Sequence, residues 1–291
     1  MYDVIILGAG PAGMNAGLYA ARAGQDTVLL ERMTAGGQMA LTSVIENYPG
    51  FTQGVGGLEL GAMMERQAVG AGVRLVYETA LEIDCAGRRV RTASGWLESK
   101  RLILAMGARA KSLGVPGEER LAGRGISYCA TCDGALYRGK RVAVIGGGNS
   151  AAEDALYLAG IGCEVVMVHR RDSLRAETAV ARRVLEHASI SVLWNNRVAA
   201  FEGEAKLTQL LLEDGTAVPV NGAFVAIGRA PETELVRGQV EMDEYGFIRA
   251  GEDCRTSVSG VYVAGDARAK TLRQVVTAVA DGAMAAEGIG G

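Results

Sequence analysis

YDVIILGAGPAG, residues Tyr2-Asp3-Val4-Ile5-Ile6-Leu7-Gly8-Ala9-Gly10-Pro11-Ala12-Gly13, decides how the chain is read. Val4 to Leu7 are apolar without alternation, which is the pattern of a parallel strand covered on both faces. The glycines that follow have the spacing G-x-G-x-x-G. An Ala-rich helical stretch runs from there to about Ala23, Gly24 stops it, and Thr27-Val28-Leu29-Leu30 reads as the next strand, ending at Glu31. The glycines Gly8, Gly10 and Gly13, with Pro11 and Ala12 opening the helix, let backbone N–H groups approach a pyrophosphate at a helix N-terminus.

The plan repeats. Arg141-Val142-Ala143-Val144-Ile145 is a strand, and Gly146-Gly147-Gly148-Asn149-Ser150-Ala151 is the turn. A helix then runs to about Ala159, and Cys163 to Val168 form the following strand. Glu31 lies 23 positions after Gly8 and His169 lies 23 positions after Gly146, so the two residues hold the same structural place. A carboxylate there suits the ribose hydroxyls of an adenosine and repels a 2′-phosphate. In the second copy the place holds His169-Arg170-Arg171, with Arg175 one turn on. Guanidinium groups stay charged and bind phosphate in bidentate fashion. One nucleotide of each kind points to FAD in the first unit and NADPH in the second.

A second echo pairs Leu102-Ile103-Leu104-Ala105-Met106-Gly107 with Ala223-Phe224-Val225-Ala226-Ile227-Gly228, each a late strand ending in glycine. The first unit is longer between these landmarks, and the excess is expected in the glycine-rich, polar stretch from Thr34 to Gly57. After Gly228 comes a turn-rich segment, then a strand ending at Gly265-Asp266. Asp266 is well placed for ribityl or pyrophosphate oxygens and can also serve as a helix N-cap. The Ala-rich tail is too short for a third domain and is expected to return to the first unit. The division is therefore 1–114 with 243–291 for the FAD domain and 115–242 for an inserted NADPH domain. The fold class is α/β, two nucleotide-binding domains of Rossmann-like, three-layer ββα type.

The totals agree. The chain has 291 residues, enough for two domains, with 49% hydrophobic and 22% charged residues, a globular composition. A net charge of −3 gives nucleic-acid binding no support. No apolar run reaches bilayer length, and Met1-Tyr2-Asp3 leads straight into a strand without a signal-peptide pattern. The expectation is a soluble, cytoplasmic protein without membrane or nucleic-acid partners.

Five cysteines form no disulfide framework here, and Cys85, Cys163 and Cys254 are scattered. Cys129-Ala130-Thr131-Cys132-Asp133-Gly134 is different. Metal binding needs two more ligands, and with two histidines and no second cysteine pair the chain offers no such set; no metal is expected. Two inert buried thiols remain conceivable, but Asp133 beside them and the turn-like sequence favour a redox dithiol, since C-x-x-C spacing closes a small ring and lowers one thiol pKa. Asp133 can pass a proton to a leaving thiolate. A dithiol that takes electrons from a flavin is the coherent reading.

Taken in order, Gly8 to Gly13, Gly36-Gly37-Gln38, Glu46-Asn47-Tyr48-Pro49-Gly50, Cys129 to Gly134, Gly146 to Ser150, Val168 to Arg171, Gly265-Asp266 and Arg273-Gln274 make the chain resemble the low-molecular-weight thioredoxin reductases of bacteria over nearly its whole length. The resemblance implies a homodimeric NADPH-dependent FAD enzyme reducing thioredoxin through the Cys129–Cys132 disulfide. It places Cys132 nearer the flavin, Cys129 as the attacking thiol and Asp133 as acid–base. It also implies two domain orientations, with hinges expected near Val115 and Met242. The flavin contacts it carries over are Arg32, Gly37, Gln38, Asn47, Ala105, Gly107, Arg273, Gln274 and Val275, beside Glu31, Gly265 and Asp266. For NADPH it adds Ile227, Gly228 and Arg229 to Gly146, Gly148, Asn149, Ser150 and the His169–Arg175 set. Met106 and Val275 stand where the family usually has threonine and alanine, and the chain stops at Gly291, earlier than typical members. Alternatives are a glutaredoxin-like or peroxidase-linked acceptor, a ferredoxin donor, against which the arginines argue, and a nucleotide-binding sensor without turnover, against which the dithiol argues.

Overall fold

The computed structural model describes residues 1–42 and 44–287. They form two compact units, Met1–Arg109 with Ala230 onward, and Ala110–Arg229.

In the first unit the strand Tyr2–Leu7 lies between Thr27–Glu31 and Gly95–Leu104, parallel to both, with Arg74–Tyr77 outside the former. Val261–Val263 adds in parallel to the carboxyl half of Gly95–Leu104, whose amino half bends into an antiparallel ribbon with Arg89–Thr92 and Glu82–Asp84. The reason the first strand does not alternate is now visible. Val4, Ile6, Leu29 and Ile103 face helices Pro11–Arg22 and Val275–Glu287 through Ala12, Ala16, Ala20, Ala278 and Ala285. Ile5, Leu7, Val28, Leu30, Leu102 and Leu104 face the β-ribbon through Ile83 and Val90, together with Val236, Val240 and Ile248. Both faces of the sheet are covered, so both parities of the strand are apolar.

The second unit has the same three layers. Its parallel sheet runs Ile190–Leu193, Glu164–Val168, Arg141–Ile145, Gly222–Val225, Ile126–Ser127. Val142, Val144, Val165 and Met167 pack on helix Asn149–Gly160 through Ala151, Ala152, Ala155 and Leu158. Ala143, Ile145, Val166 and Val168 pack on an antiparallel layer, Val198–Glu202, Gln209–Leu212 and Ala217–Pro219, through Phe201, Leu210, Leu212 and Val218.

The repeat extends to single hydrogen bonds. The Gly8 N–H donates to the Leu30 carbonyl at 2.8 Å, and the Gly146 N–H to that of Val168 at 3.1 Å. The Ala105 N–H donates to Leu7 at 2.9 Å, and the Ala226 N–H to Ile145 at 2.8 Å. The extra length of the first unit includes the 3-10 turn Gly37–Leu41 and a bridge between Ile45 and Val55, packed as a small apolar cluster with Met39 and Leu60.

The chain crosses between units along Ala108–Ala110 and Arg229–Pro231, two short paired strands. The sequence reading set the crossings near Val115 and Met242; the compact units divide at Arg109/Ala110 and Arg229/Ala230 instead. Leu113 and Val115 pack in the second unit's core, whereas Val236, Val240 and Met242, within a stretch that reads as turns, pack in the first. Residues 288–291 of the chain's tail lie outside the described residues. Among those described, no helix is long and apolar enough to cross a membrane, and no cluster of three or more His, Cys, Asp or Glu side chains could hold a metal ion.

Candidate active site and nucleotide sites

The fifth strand of the second sheet, Ile126–Ser127, delivers the chain into the short helix Ala130–Asp133. In the first unit the corresponding edge strand, Val261–Val263, delivers it into Gly265–Ala267. The C-x-x-C turn thus occupies, in its unit, the place that Gly265-Asp266 occupies in the other. Cys129 and Cys132 are joined by a disulfide with their Cα atoms 5.3 Å apart, inside the ordinary range for a bridged pair. Both are half-buried. Cys85, Cys163 and Cys254 are buried free thiols.

Two neighbours that the sequence reading missed hold this turn. The Ser127 hydroxyl donates to Asp133 Oδ2 at 2.6 Å and accepts from the Cys129 N–H at 3.1 Å. Burial pushes the Asp133 carboxyl up, against the opposing pull of the Ser127 hydrogen bond, which leaves an acid that holds its proton more readily than an exposed aspartate. On the other side the buried Glu118 accepts from the Tyr128 hydroxyl (3.0 Å) and from the backbone N–H groups of Leu113 (3.0 Å) and Gly114 (2.7 Å). Glu118 gives no motif in the sequence; its role shows only when three donors converge on it.

The same unit carries the second glycine loop. A methyl group on Gly146 would fall 2.4 Å from the Ala226 carbonyl oxygen, so Ala226, Ile227 and Gly228 lie directly beside the turn. Gly148 caps helix Asn149–Gly160, which has no side-chain cap and no acidic residue in its first turn. Asn149 is bracketed by Glu177, whose N–H donates to Asn149 Oδ1 at 2.7 Å. Arg170, Arg171 and Arg175 are exposed, and the Arg175 N–H donates to the Gly147 carbonyl at 2.6 Å. His169 is placed differently from the arginines, 4% exposed with its ring turned inward. Asp154, a turn into the helix, is pushed up to about 7 by burial, opposed by the charge of Arg229.

In the first unit, Gly8 is in the left-handed region (φ 99°), and a methyl group on it would fall 2.6 Å from the Ala105 carbonyl oxygen. One on Gly13 would fall 1.9 Å from the Gly8 carbonyl oxygen, while Gly10 faces open space. Helix Pro11–Arg22 starts at Gly10 with no side-chain cap and no acid in its first turn. Glu31 is fixed by accepting from the Ala9 N–H (2.9 Å) and the Met33 N–H (3.0 Å); a carboxylate has lone pairs left for hydroxyl donors. Gly37 packs against Gly10, its would-be Cβ 3.2 Å from the Gly10 Cα, which brings Gln38 to the same loop. Asn47 and Gln274, far apart in sequence, hydrogen-bond at 3.1 Å. The Arg273 guanidinium stacks 4.0 Å over the Phe247 ring. Arg32 instead points to Glu232, 3.8 Å away. Met106 packs against the leucine face of the sheet and Val275 against the Met39 cluster.

Asp281 supports Gly265-Asp266 from beneath. Its buried carboxylate accepts from the Gly265 N–H (3.0 Å), Arg268 Nη2 (2.8 Å) and Lys270 Nζ (2.9 Å).

Both units fit a dinucleotide: glycine at each close approach, helix N–H groups with no side-chain cap, and no carboxylate in the first helical turn to oppose a pyrophosphate. A disulfide beside a proton-holding acid, in a chain with two such loops, defines a nucleotide-dependent disulfide oxidoreductase. The chain belongs to the pyridine nucleotide-disulphide oxidoreductase family, whose profile matches residues 2–282, a family built on flavin and nicotinamide cofactors. It is 43% identical over 295 residues to a protein named thioredoxin reductase from Treponema pallidum, covering 98% of this chain and 95% of the relative. A Bacillus subtilis protein of the same name is 39% identical over 298 residues, covering 99% and 94%. The solved thioredoxin reductase of Streptococcus pyogenes has a TM-score of 0.92 at 39% identity, covering 99% of this chain and 97% of that one.

Proposed function

We propose that this protein is an NADPH-dependent flavoprotein that reduces the disulfide of thioredoxin. Residues 1–109 and 230–287 serve the FAD and residues 110–229 the NADPH. The observation that carries the reading is the Cys129–Cys132 disulfide at the sheet edge with Asp133 hydrogen-bonded to Ser127 beside it. FAD, when bound, relays two electrons between the nicotinamide and the disulfide. Glu31, Gln38, Asn47, Asp266, Arg273 and Gln274 hold the flavin dinucleotide; Gly146 to Ser150, Arg170, Arg171 and Arg175 hold NADPH.

The protein's own chemistry is thiol exchange. Two electrons and two protons convert Cys129–Cys132 to a dithiol. The Cys129 thiol gives its proton to solvent and the resulting thiolate attacks one sulfur of the thioredoxin disulfide, forming a mixed disulfide and releasing a partner thiolate, which takes its proton from Asp133. The Cys132 thiol returns a proton to Asp133, and its thiolate attacks Cys129 Sγ, restores the Cys129–Cys132 bond and releases the second partner thiolate, which takes up a proton from solvent. The sum is NADPH, a proton and a disulfide in, NADP⁺ and two thiols out. A homodimer, as the resemblance implies, working in the cytoplasm completes the reading.

NADPH-dependent reduction of thioredoxin, glutaredoxin and a thiol peroxidase by the purified yellow protein tests the acceptor. Thioredoxin is expected to be turned over fastest; a protein that consumes NADPH with another acceptor and leaves thioredoxin oxidised refutes this choice of partner.

A further inference from the structure

His169 and Glu31 hold the same register position, and both side chains turn back to the second residue of their own glycine loop. Glu31 accepts from the Ala9 N–H at 2.9 Å. The His169 imidazole lies on Gly147, where a methyl group would fall 2.3 Å from ring atoms Cε1 and Nδ1. This accounts for the middle glycine of Gly146-Gly147-Gly148, at the position where the first loop carries Ala9. The ring is otherwise enclosed. Its Nε2 lies 3.0 Å from the Ser173 carbonyl oxygen, and the ring packs against Trp194 in a T-shaped contact with centroids 6.2 Å apart. A carbonyl only accepts, so Nε2 carries the hydrogen.

The backbone around it is tied down at several points. The Arg175 N–H donates to the Gly147 carbonyl (2.6 Å), the Asn195 N–H to the Arg171 carbonyl (3.1 Å) and the Asn196 N–H to the His169 carbonyl (3.1 Å). Residues 169–175 thus form a strap closed on the glycine turn at both ends, with the guanidinium groups of Arg170, Arg171 and Arg175 outside and the imidazole inside.

We propose that His169 is a positioning residue that sets nucleotide specificity: it bolts the arginine strap to Gly147 and does not itself touch the 2′-phosphate. The inference rests on the NADPH reading of the second unit. A ligand of the phosphate needs a free donor, and the ring's one hydrogen is committed to Ser173. Burial, the largest influence, and the charges of Arg175, Arg171 and Arg170 hold the imidazole below the usual histidine range, against the Ser173 carbonyl, which favours the charged form. The ring therefore stays neutral among three cations that do the binding.

The test uses the unmodified holoprotein labelled with ¹⁵N-histidine, titrated at near-neutral pH with 2′,5′-ADP and, separately, with ADP. There are two histidines, and His187→Gln assigns the spectra. The expected result is tighter binding of 2′,5′-ADP by at least about tenfold, as arginine–phosphate pairs supply, with His169 keeping its neutral Nε2–H pattern throughout. Conversion of the ring to imidazolium by 2′,5′-ADP but not by ADP overturns the inference. Equal binding of both probes refutes the NADPH reading itself, and the inference falls with it; the two failures are distinct because one is read from affinity and the other from the ring. A second measurement uses packing. Gly147→Ala is expected to lose most of the selectivity between the two probes. His169→Ala alone is expected to lose a similar share, and Gly147→Ala/His169→Ala no more than either, because both changes break the same contact. Losses that simply add contradict the packing role.

Discussion

Replacing Asp281 with asparagine keeps the shape of the side chain and an acceptor for the Gly265 N–H, but removes the charge that faces Arg268 and Lys270. Asp281 and Lys270 have side chains only 8% exposed and Arg268 16%, with contacts of 2.8 and 2.9 Å. Breaking a buried ion pair by neutralising one partner costs about 3–5 kcal/mol, because the other charge is left desolvated. The unit holding these groups has on the order of 170 residues, for which each kcal/mol lowers the melting temperature by roughly 2–4 °C, so the expected fall is on the order of 10 °C. Calorimetry follows the unit's own transition, and flavin fluorescence follows release of the cofactor, since Asp281 supports the Gly265-Asp266 turn. Adding Lys270→Met to the asparagine variant removes an orphaned cation and is expected to restore part of the loss. A fall of less than about 2 °C, or no recovery in the double variant, refutes the reasoning that the cluster is a coupled buried charge set.

Other perturbations separate packing from chemistry. Gly13→Ala places a methyl group 1.9 Å from the Gly8 carbonyl oxygen and is expected to destabilise the apoprotein, whereas Gly10→Ala meets nothing within 4 Å and should weaken flavin binding alone; melting of apoprotein and flavin titration distinguish them. Asp154 sits at about 7 because of burial. In the range from the unfolded value near 4 up to about 7 the native state keeps a proton that the unfolded chain gives up. Stability of the wild type therefore falls as pH rises through that window, and Asp154→Asn is expected to flatten the profile and gain stability at pH 8 but not at pH 4; denaturant midpoints across pH show which. Asp133→Asn is expected to lower thioredoxin reduction by about 10²-fold or more, the usual weight of a general acid, while dithiothreitol still opens the Cys129–Cys132 bond; an unchanged turnover rate removes Asp133 from the chemistry.

What the sequence makes legible follows from which residues meet locally. The glycine loops, the strands beside them and the register linking Glu31 with His169 lie in short contiguous stretches, where period and turn chemistry decide. The C-x-x-C pair is equally local. Less legible are groups whose meaning comes from distant partners. Asp281 sits in an Ala-rich helix and reads as a solvated acid until the 268–270 turn folds over it. Glu118 opens a four-residue helix and gains its role only from Leu113, Gly114 and Tyr128. The second crossing lies earlier than the sequence reading sets it because Val236, Val240 and Met242 are scattered through a turn-rich stretch with no strand or helix period to reveal that they complete the first unit's core. His169 is found in the right place by counting, but its inward turn depends on Gly147, Ser173 and Trp194 together.

The central claim is that electrons from NADPH open Cys129–Cys132 and leave through it. The direct measurement is anaerobic addition of one equivalent of NADPH to the holoprotein, followed by alkylation of new thiols, peptide mass analysis, and repetition after adding oxidised thioredoxin. The account predicts alkylation at Cys129 and Cys132, with Cys85, Cys163 and Cys254 unreactive in the native protein, and loss of that labelling once thioredoxin is added. NADPH oxidised in full while the Cys129–Cys132 peptide stays bridged and thioredoxin nevertheless becomes reduced would contradict it.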